Sequence, residues 1–196
     1  MPTLYELKPR FQGVLRPIVG WLARAGVTAN QVTIATCAAS AILGAWLTTT
    51  HRGWFFLPAF LFVRMALNAI DGMLATEHDQ KSRLGAVLNE LTDVISDAAL
   101  TLPVATFPGW NPLAVSGAIF SAALTELAGL TALAIGSARR YDGPFGKSDR
   151  ALVLGFLGAW LSLGWPIVEW VPTVAVGAWI VLCCVTVAQR VRRALG

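Results

Sequence analysis

The chain's 196 residues are 56% hydrophobic and only 13% charged, with a net charge of +4 and a mean hydropathy of +0.63. Since a soluble domain has about 45–50% apolar and about 25% charged residues, this composition excludes disordered, collagen-like and disulfide-scaffold proteins and argues against a soluble nucleic-acid binder. The three cysteines lie in apolar runs without metal-ligand spacing. The sequence therefore predicts an integral membrane protein with one domain, 1–196.

The first predicted element, residues 4–25, is an amphipathic helix. Its apolar residues, from Leu7 to Leu22, recur at helical spacing with bases between them. This pattern is typical of a helix that lies in the headgroup plane of a membrane. We expect Pro9 and Pro17 to break the helix, and a loosely ordered basic tail is the alternative interpretation.

Six apolar stretches follow, each near the length of about 20 residues that a membrane-spanning helix needs. The interruptions between them are charged or rich in Pro and Gly, and Thr28-Ala29-Asn30 is a capping sequence before the first. The expected fold is therefore an all-α membrane bundle of six spanning helices with an N-terminal interfacial helix. The predicted spans are 30–50, 54–74, 84–106, 111–138, 151–168 and 171–189.

The basic residues predict how these spans are oriented. All of the 15 bases except Arg52 and Arg64 fall near the termini or in the second and fourth connections between spans. Loops rich in Lys and Arg stay on the cytoplasmic side. Both termini and the two charged loops are therefore expected in the cytoplasm, with the chain in the inner membrane if its source is bacterial. This arrangement requires an even number of spans, in agreement with six.

Intramembrane carboxylates cluster on the second and third spans. Asn68 and Asp71 share one helix face, and Asn89, Asp93 and Asp97 step by four along another. The short loop between the spans predicts that the two helices are direct neighbours, so that their polar faces meet near the cytoplasmic end. Charges inside a membrane are costly and indicate function, and converging oxygen ligands suit Mg²⁺ or Mn²⁺. The alternative is a set of interhelical hydrogen bonds that holds the bundle together.

The window 68–93 resembles the signature of the CDP-alcohol phosphotransferase family, DxxDGxxAR followed, after eight residues, by GxxxDxxxD. Asp71-Gly72, Ala75, Gly85 and Asp93 fit this signature with its full spacing. The resemblance implies a homodimeric enzyme of phospholipid synthesis with a cytoplasmic active site. Such enzymes displace CMP from a CDP-linked lipid, usually CDP-diacylglycerol, by attack of an alcohol hydroxyl.

Three positions depart from the signature: Asn68 and Asn89 replace its first and third aspartates, and Thr76 replaces its arginine. Family members hold two metal ions between four aspartates, and the fourth acts as the base, which corresponds to Asp93. Because asparagine carries no charge, we expect one firmly bound ion, with a second arriving only with substrate or not at all. Asp97, one turn deeper on the same face, is a further candidate ligand. The metal ligands that the resemblance implies are Asn68, Asp71, Asn89 and Asp93.

Nucleotide contacts are also implied by the resemblance. Gly72 and Ala75 would leave room for the nucleotide beside the helix, as their family counterparts do. Asn30 and Thr33 match a family pattern at the entry to the first span, but they have an equally ordinary explanation as cap and span-end residues. The full expected set is Asn30, Thr33, Gly72, Ala75 and Gly85.

A second basic cluster, residues 139–150, lies between the fourth and fifth spans. Lys147, Ser148 and Arg150 stand at the predicted start of a helix, where bases and free backbone N–H groups favour a phosphate. This segment resembles the acceptor-phosphate site of family members that use glycerol phosphate or inositol phosphate. The alternative is a determinant of topology and lipid headgroup binding. Glu126 is a further intramembrane acid, and the sequence leaves its role open.

These features predict transfer of a phosphatidyl group from CDP-diacylglycerol to an alcohol, with a phosphorylated polyol such as glycerol 3-phosphate as the first expectation. A catalytically degenerate CDP-lipid-binding protein is the alternative, because two signature carboxylates are missing. An intramembrane prenyltransferase would carry its Asp-rich motifs on well-separated spans of a longer chain. A small proton-coupled transporter does not predict the Gly72/Ala75 pattern. No nucleic-acid partner is expected.

Overall fold

A computed structural model describes residues 4–196, with side chains from residue 10 onward. Within this part of the chain, all regular secondary structure is helical, with seven α-helices and one short 3₁₀ helix joined by loops. The α-helices are α1 (Leu4–Arg24), α2 (Ala29–Thr50), α3 (Phe56–Glu77), α4 (Arg83–Thr101), α5 (Pro112–Ala134), α6 (Lys147–Ser162) and α7 (Trp170–Leu195), and the 3₁₀ helix is Leu102–Thr106.

Four helices of the described chain, α2, α3, α5 and α7, are long and apolar enough to cross a membrane. The other two predicted spans correspond to α4, which carries the acidic cluster, and to α6, which has only 16 residues. The count of six spans therefore stays a prediction.

The predicted fifth span, 151–168, is displaced toward the N-terminus. α6 begins at Lys147, because Asp149 Oδ2 accepts the N–H of Gly146 at 2.9 Å and closes the first turn. It ends at Ser162, before Gly164, whose φ of 65° leaves the helical region. The span predicted at 84–106 is also divided. α4 ends at Thr101, and a 3₁₀ helix continues through Pro103, which has no backbone N–H to donate.

α1 is one continuous helix, so the predicted breaks at Pro9 and Pro17 are wrong. Packing explains why the helix continues: Leu15 and Val19 are buried against Ile70, Met73 and Leu74 and against the start of α2. This burial offsets the hydrogen bond that each proline removes. Leu7, one of the predicted apolar positions, lies among the residues whose side chains are not described.

α2 is the central helix of this half of the bundle and packs against both α3 and α4. The predicted cap is confirmed: Thr28 Oγ1 accepts the Gln31 N–H at 3.2 Å, and Gln31 Oε1 accepts the Thr28 N–H at 2.9 Å. Farther along, Gly44 allows close contact with α4. A Cβ at this position would lie 2.1 Å from the carbonyl oxygen of Ala99.

α3 and α4 are not the direct neighbours that their short connection predicts. Their backbones approach each other at few points, and α2 lies against both of them. Side chains bridge the remaining space: Asn68 and Arg64 extend from α3 to Asp93 on α4. Polar side chains, rather than close backbone packing, therefore join these two helices. α6 packs against α3, and α5 against α7.

Candidate active site

Asp71 lies on α3 with only 6% of its surface exposed. Its Oδ2 accepts a hydrogen bond from Thr33 Oγ1 at 2.8 Å, and the same hydroxyl lies 3.0 Å from the Ala29 carbonyl oxygen. The structure thus brings together two residues predicted for different roles, a metal ligand and a nucleotide contact.

Asp93, on α4, is in contact with side chains from two other helices. Its Oδ1 accepts from Asn68 Nδ2 at 3.2 Å and lies 3.4 Å from Arg64 Nη2, both on α3. Its Oδ2 pairs with the ammonium group of Lys147, at the start of α6. The amide of Asn68 donates to Asp93, whereas an aspartate at this position would repel it. Asn68 therefore links α3 to α4 through Asp93.

Asp97, one turn deeper, is held by two buried arginines. Its Oδ1 accepts from Arg64 Nη1 at 2.6 Å, and its Oδ2 accepts from Arg150 Nη2 at 3.3 Å. Arg64 and Arg150 are 5% and 3% exposed. Both carboxylate oxygens of Asp97 are therefore engaged by cations of the chain itself, as intramembrane charges generally are.

Glu126, whose role the sequence leaves open, stands at the centre of a set of arginines. Arg150 Nη2 donates to its Oε1 at 2.9 Å, while Arg190 Nη1 and Arg139 Nη2 lie 3.6 Å and 3.7 Å from its Oε2. Arg139 also pairs with Glu90 on α4. This cluster joins α4, α5, α6 and α7 at the end of the bundle where Asp93 lies.

A cleft of about 290 Å³ opens beside Asp93, and we call it the basic cleft after the bases Arg139, Lys147 and Arg190 in its lining. Arg150, predicted to contact phosphate, does not line it, because its guanidinium is buried against Asp97 and Glu126. Arg139 and Arg190 line the cleft instead. Three acids, Asp93, Glu126 and Asp149, line the cleft together with the three bases Arg139, Lys147 and Arg190. Asn89 and Ser148 are among its neutral polar residues.

Two glycines hold the loop that carries Lys147 against its neighbours. Gly143 has a φ of 121°, and a Cβ there would lie 2.5 Å from Thr186 Cγ2 on α7. The hydroxyl of Thr186 accepts the N–H of Phe145 at 3.1 Å. A Cβ at Gly129 on α5 would lie 2.6 Å from the Arg140 carbonyl oxygen. These close approaches position the start of α6 beside Asp93.

An apolar groove of about 520 Å³ runs between α3 and α6. Phe62, Met65, Leu152 and Phe156 are among the side chains that line it. Its polar end is formed by Arg64, Asn68, Lys147 and Ser148. Lys147 and Ser148 therefore line both the groove and the basic cleft.

The predicted nucleotide contacts occupy different surroundings. Gly72 faces open space, since a Cβ there would have no other atom within 4 Å, whereas a Cβ at Gly85 would lie 2.8 Å from Asn30 Oδ1. Asn30 and Gly85 are thus brought together. Ala75 packs against the apolar cluster beneath α1.

Among the side chains that the structure describes, residues 10–196, no group of three or more from His, Cys, Asp or Glu is arranged to hold a metal ion. The donors present are the carboxylates of Asp71 and Asp93 and the amide oxygens of Asn68 and Asn89. Oxygen donors of this kind suit a hard divalent cation such as Mg²⁺. Their combined charge of −2 fits one such ion better than two.

Sequence reasoning missed Arg64, Arg139 and Arg190 as residues of the site. Arg64 carries a usable signal, since a base within a membrane span indicates function as much as an acid does. The sequence pattern identifies Arg139 and Arg190 only as determinants of topology. Their position around Glu126 is what distinguishes them from other loop and terminal bases.

No protein-family model matches the chain, but individual proteins do. The inner membrane protein YnbA of Escherichia coli K12 is 51% identical over 158 residues, which cover 80% of this chain and 79% of that protein. Phosphatidylinositol phosphate synthase of Mycobacterium tuberculosis H37Rv is 31% identical over 187 residues, covering 92% of this chain and 85% of that enzyme. The chain belongs to the CDP-alcohol phosphotransferase family. The family predicted from the window 68–93 is thus confirmed, and the chain is an integral membrane protein.

Solved structures of this family share the fold. A crystal structure of the M. tuberculosis phosphatidylinositol phosphate synthase with CDP-DAG bound superposes with a TM-score of 0.77 at 21% identity, over 91% of this chain and 92% of that one. A second structure of that enzyme, in complex with manganese and citrate, gives a TM-score of 0.75 at 22% identity. It covers 91% of this chain and 88% of that one.

Proposed function

We propose that the protein transfers a phosphatidyl group from CDP-diacylglycerol to the hydroxyl of a phosphorylated polyol and releases CMP. The observation that carries this proposal is the position of Asp93, which contacts Lys147 at the place where the apolar groove and the basic cleft adjoin. A lipid donor and a phosphorylated acceptor together require a groove for acyl chains, a carboxylate and a basic cleft.

The apolar groove is the proposed site of the lipid donor. Its walls are apolar along α3 and α6, and its polar end lies at Asn68 and Lys147, next to Asp93. The CDP headgroup would extend from there toward Gly72, where open space lies beside the helix. The related mycobacterial enzyme, whose structure contains CDP-DAG, supports this choice of donor.

The basic cleft is the proposed acceptor site. The sequence predicts this role for Lys147 and Ser148, and we add Arg139 and Arg190, which line the same cleft. Arg150 is assigned instead to the buried ion pairs with Asp97 and Glu126. Glycerol 3-phosphate is the acceptor first expected, and the names of the relatives add inositol phosphate. Both are phosphorylated polyols, and the cleft of about 290 Å³ offers room for either.

In the proposed reaction, Asp93 takes the proton of the acceptor hydroxyl as its oxygen attacks the phosphorus of the phosphatidyl group. The bond between that phosphorus and the oxygen of CMP breaks. A single Mg²⁺ or Mn²⁺, held by Asp71, Asp93 and the amide oxygens of Asn68 and Asn89, would stabilise the charge on the leaving CMP. The manganese in the related mycobacterial structure supports this choice of ion. Asp97 is kept from the ion by its two arginines.

We further propose that α2 to α7 all cross the membrane, while α1 lies in the headgroup plane. The distribution of the 15 bases supports a cytoplasmic position for both termini and for the site. The family resemblance supports a homodimer.

A catalytically degenerate CDP-lipid-binding protein is the second candidate. Asn68 and Asn89 favour this candidate, because they lower the negative charge of the site. So do the contacts of both Asp93 oxygens, one with Asn68 and the other with Lys147. Binding of CDP-diacylglycerol without turnover would support this candidate.

The two candidates are separated by incubating purified protein in vesicles with labelled CDP-diacylglycerol, Mg²⁺ and a panel of acceptors that includes glycerol 3-phosphate, inositol phosphate and neutral alcohols. We expect CMP release with a phosphorylated polyol, and a loss of roughly 10²–10⁴-fold in the Asp93→Asn variant, because the proton acceptor is removed. Asp79→Asn, in the exposed loop before α4, is the matched control and should keep full activity. If no acceptor releases CMP above the rate of Asp93→Asn, the enzymatic function is contradicted.

A further inference from the structure

One face of α7 lies against the loop that joins α5 to α6, residues 135–146. The ring of Phe145 packs beside Cys183 and meets the ring of Trp179 edge-on, with their centroids 5.0 Å apart. Farther along α7, Arg190 Nε donates to the Asp142 carbonyl at 3.0 Å. The contacting residues follow the i, i+4, i+7, i+11 spacing of a single helix face, so the loop lies along one stripe of α7. This stripe consists of Trp179, Cys183, Thr186 and Arg190.

Thr186 lies in the middle of the stripe and is fully buried, with 0% of its surface exposed. Its Oγ1 accepts the N–H of Phe145 at 3.1 Å and donates to the Leu182 carbonyl at 2.8 Å. Gly143 approaches the same side chain so closely that a Cβ there would lie 2.5 Å from Thr186 Cγ2. The loop therefore rests directly on Thr186, and the buried N–H of Phe145 has no other described acceptor.

The position of Phe145 is passed on to the basic cleft through the backbone. Gly146 follows Phe145 and caps α6, and Lys147 and Ser148 are the next two residues. Both of them line the cleft that we propose for the acceptor, whereas Thr186 does not. The carbonyl of Phe145 also lies 3.3 Å from Arg150 Nη1 and accepts its hydrogen bond. A shift of Phe145 would therefore move the start of α6 relative to the cleft.

We propose that Thr186 is a positioning residue for the phosphorylated acceptor. By accepting the N–H of Phe145, its hydroxyl fixes the loop on α7 and holds Lys147 and Ser148 where they face the acceptor's phosphate. The lipid donor depends less on this contact, because it also has the apolar groove and the open space beside Gly72. This inference rests on the proposed transferase function.

Thr186→Val is the variant that tests the role of the hydroxyl. Valine has nearly the shape of threonine, and the Leu182 carbonyl keeps its backbone hydrogen bond within the helix. Only the N–H of Phe145 loses its partner, and an unpaired buried donor is costly enough to displace the loop. We expect the KM for the acceptor that the wild type uses, glycerol 3-phosphate or inositol phosphate, to rise about tenfold. The KM for CDP-diacylglycerol should change less than about twofold, since most of the donor's contacts are unaltered.

Thr186→Ser keeps the hydroxyl and should restore the wild-type KM for the acceptor. A merely structural role of Thr186 would reduce the amount of active protein, which lowers the rate and leaves both KM values unchanged. An unchanged KM for the acceptor, or an equal rise in both KM values, would overturn the proposal. Thr186→Ala also lacks the hydroxyl, so it gives the same expected difference between the two KM values if the valine variant does not fold.

Thr48→Val is the matched control. The hydroxyl of Thr48 donates to the Gly44 carbonyl at 2.8 Å, as the hydroxyl of Thr186 does to the Leu182 carbonyl, and it has no described contact with the loop. Both KM values of this variant should equal those of the wild type. A rise in the acceptor KM of Thr48→Val as large as that of Thr186→Val would overturn the proposal.

A binding measurement separates this inference from the proposed function. Calorimetric titration of the purified wild type, Thr186→Val and Thr186→Ser with glycerol 3-phosphate and with inositol phosphate needs no turnover. Weaker binding to the valine variant alone, without CMP release by the wild type, overturns the transferase function but supports the role of Thr186. CMP release by the wild type with equal binding and equal KM values in all three proteins overturns only the role of Thr186.

Discussion

Glu126 and Asp97 are two intramembrane acids that contact buried arginines of the chain. Arg150 bridges them, with Nη2 at 2.9 Å from Glu126 and 3.3 Å from Asp97. Removing one partner of such a buried pair leaves an uncompensated charge and costs about 3–5 kcal/mol. These residues therefore form a framework whose members depend on one another, and Asp93 is attached to it through Arg64.

We propose that Asn68 and Asn89 limit the site to one tightly bound metal ion. Mn²⁺ binding to purified protein, followed by electron paramagnetic resonance, should give no more than one tight site per chain without nucleotide. The Asn68→Asp/Asn89→Asp double variant should gain a second site, because it restores two carboxylate ligands and doubles the negative charge.

Asn111→Asp is the control for this titration. Asn111 caps α5 by accepting the N–H groups of Leu113 and Ala114, and an aspartate can do the same without adding a charge to the site. Its metal stoichiometry should equal that of the wild type. Two tight sites in the wild-type protein without nucleotide would contradict the single-ion proposal.

At the scale of the elements, the close contact of α2 with α4 decides where Asp93 lies. Gly44 lets the backbones meet, since a Cβ would lie 2.1 Å from the Ala99 carbonyl oxygen. α2 thereby packs against both α4, which carries Asp93, and α3, which carries Asp71.

Gly44→Ala should destabilise the protein by about 1–3 kcal/mol or more, because backbone atoms must move apart to accept the methyl group. The thermal unfolding midpoint in detergent measures the effect. Gly177→Ala is the matched control, since it lies within α7 with nothing within 4 Å of the added carbon. Equal midpoints for the two variants would contradict the close packing of α2 and α4.

At the scale of the whole molecule, the membrane topology depends on α4 and α6. Neither is as apolar and long as the other four candidate spans, yet charged residues of α4 and α6 pair with each other, Asp93 with Lys147 and Asp97 with Arg150. Charges that face the bundle interior and are paired there are compatible with a membrane span. Six crossings follow if both helices traverse the bilayer.

Single cysteines in a background without Cys37, Cys183 and Cys184 test this topology. A membrane-impermeant thiol reagent should label Arg52→Cys and Asn111→Cys in intact bacterial cells, but Lys81→Cys only after permeabilisation. The reason is that α3 and α4 each return the chain across the membrane between these positions. If Asn111→Cys, like Lys81→Cys, were labelled only after permeabilisation, α4 would not cross the membrane.

The helices and the family could be predicted from the sequence because both rest on short-range patterns. Hydropathy and helical periodicity located α2 to α7, Thr28 marked the start of α2, and the window 68–93 carried the family signature. These features involve residues within a few turns of one another. Local chemistry is therefore enough to predict them.

Only the tertiary structure decided which charged residues become partners. Asp93 pairs with Lys147, 54 positions away in the chain, and Glu126 with Arg190, 64 positions away in numbering. The sequence could not distinguish Arg150, which is buried in ion pairs, from Arg139 and Arg190, which line the cleft. Nor could it predict that α3 and α4 stand apart with α2 against both, because that separation depends on the absence of a side chain at Gly44 and on the polar side chains that bridge α3 and α4.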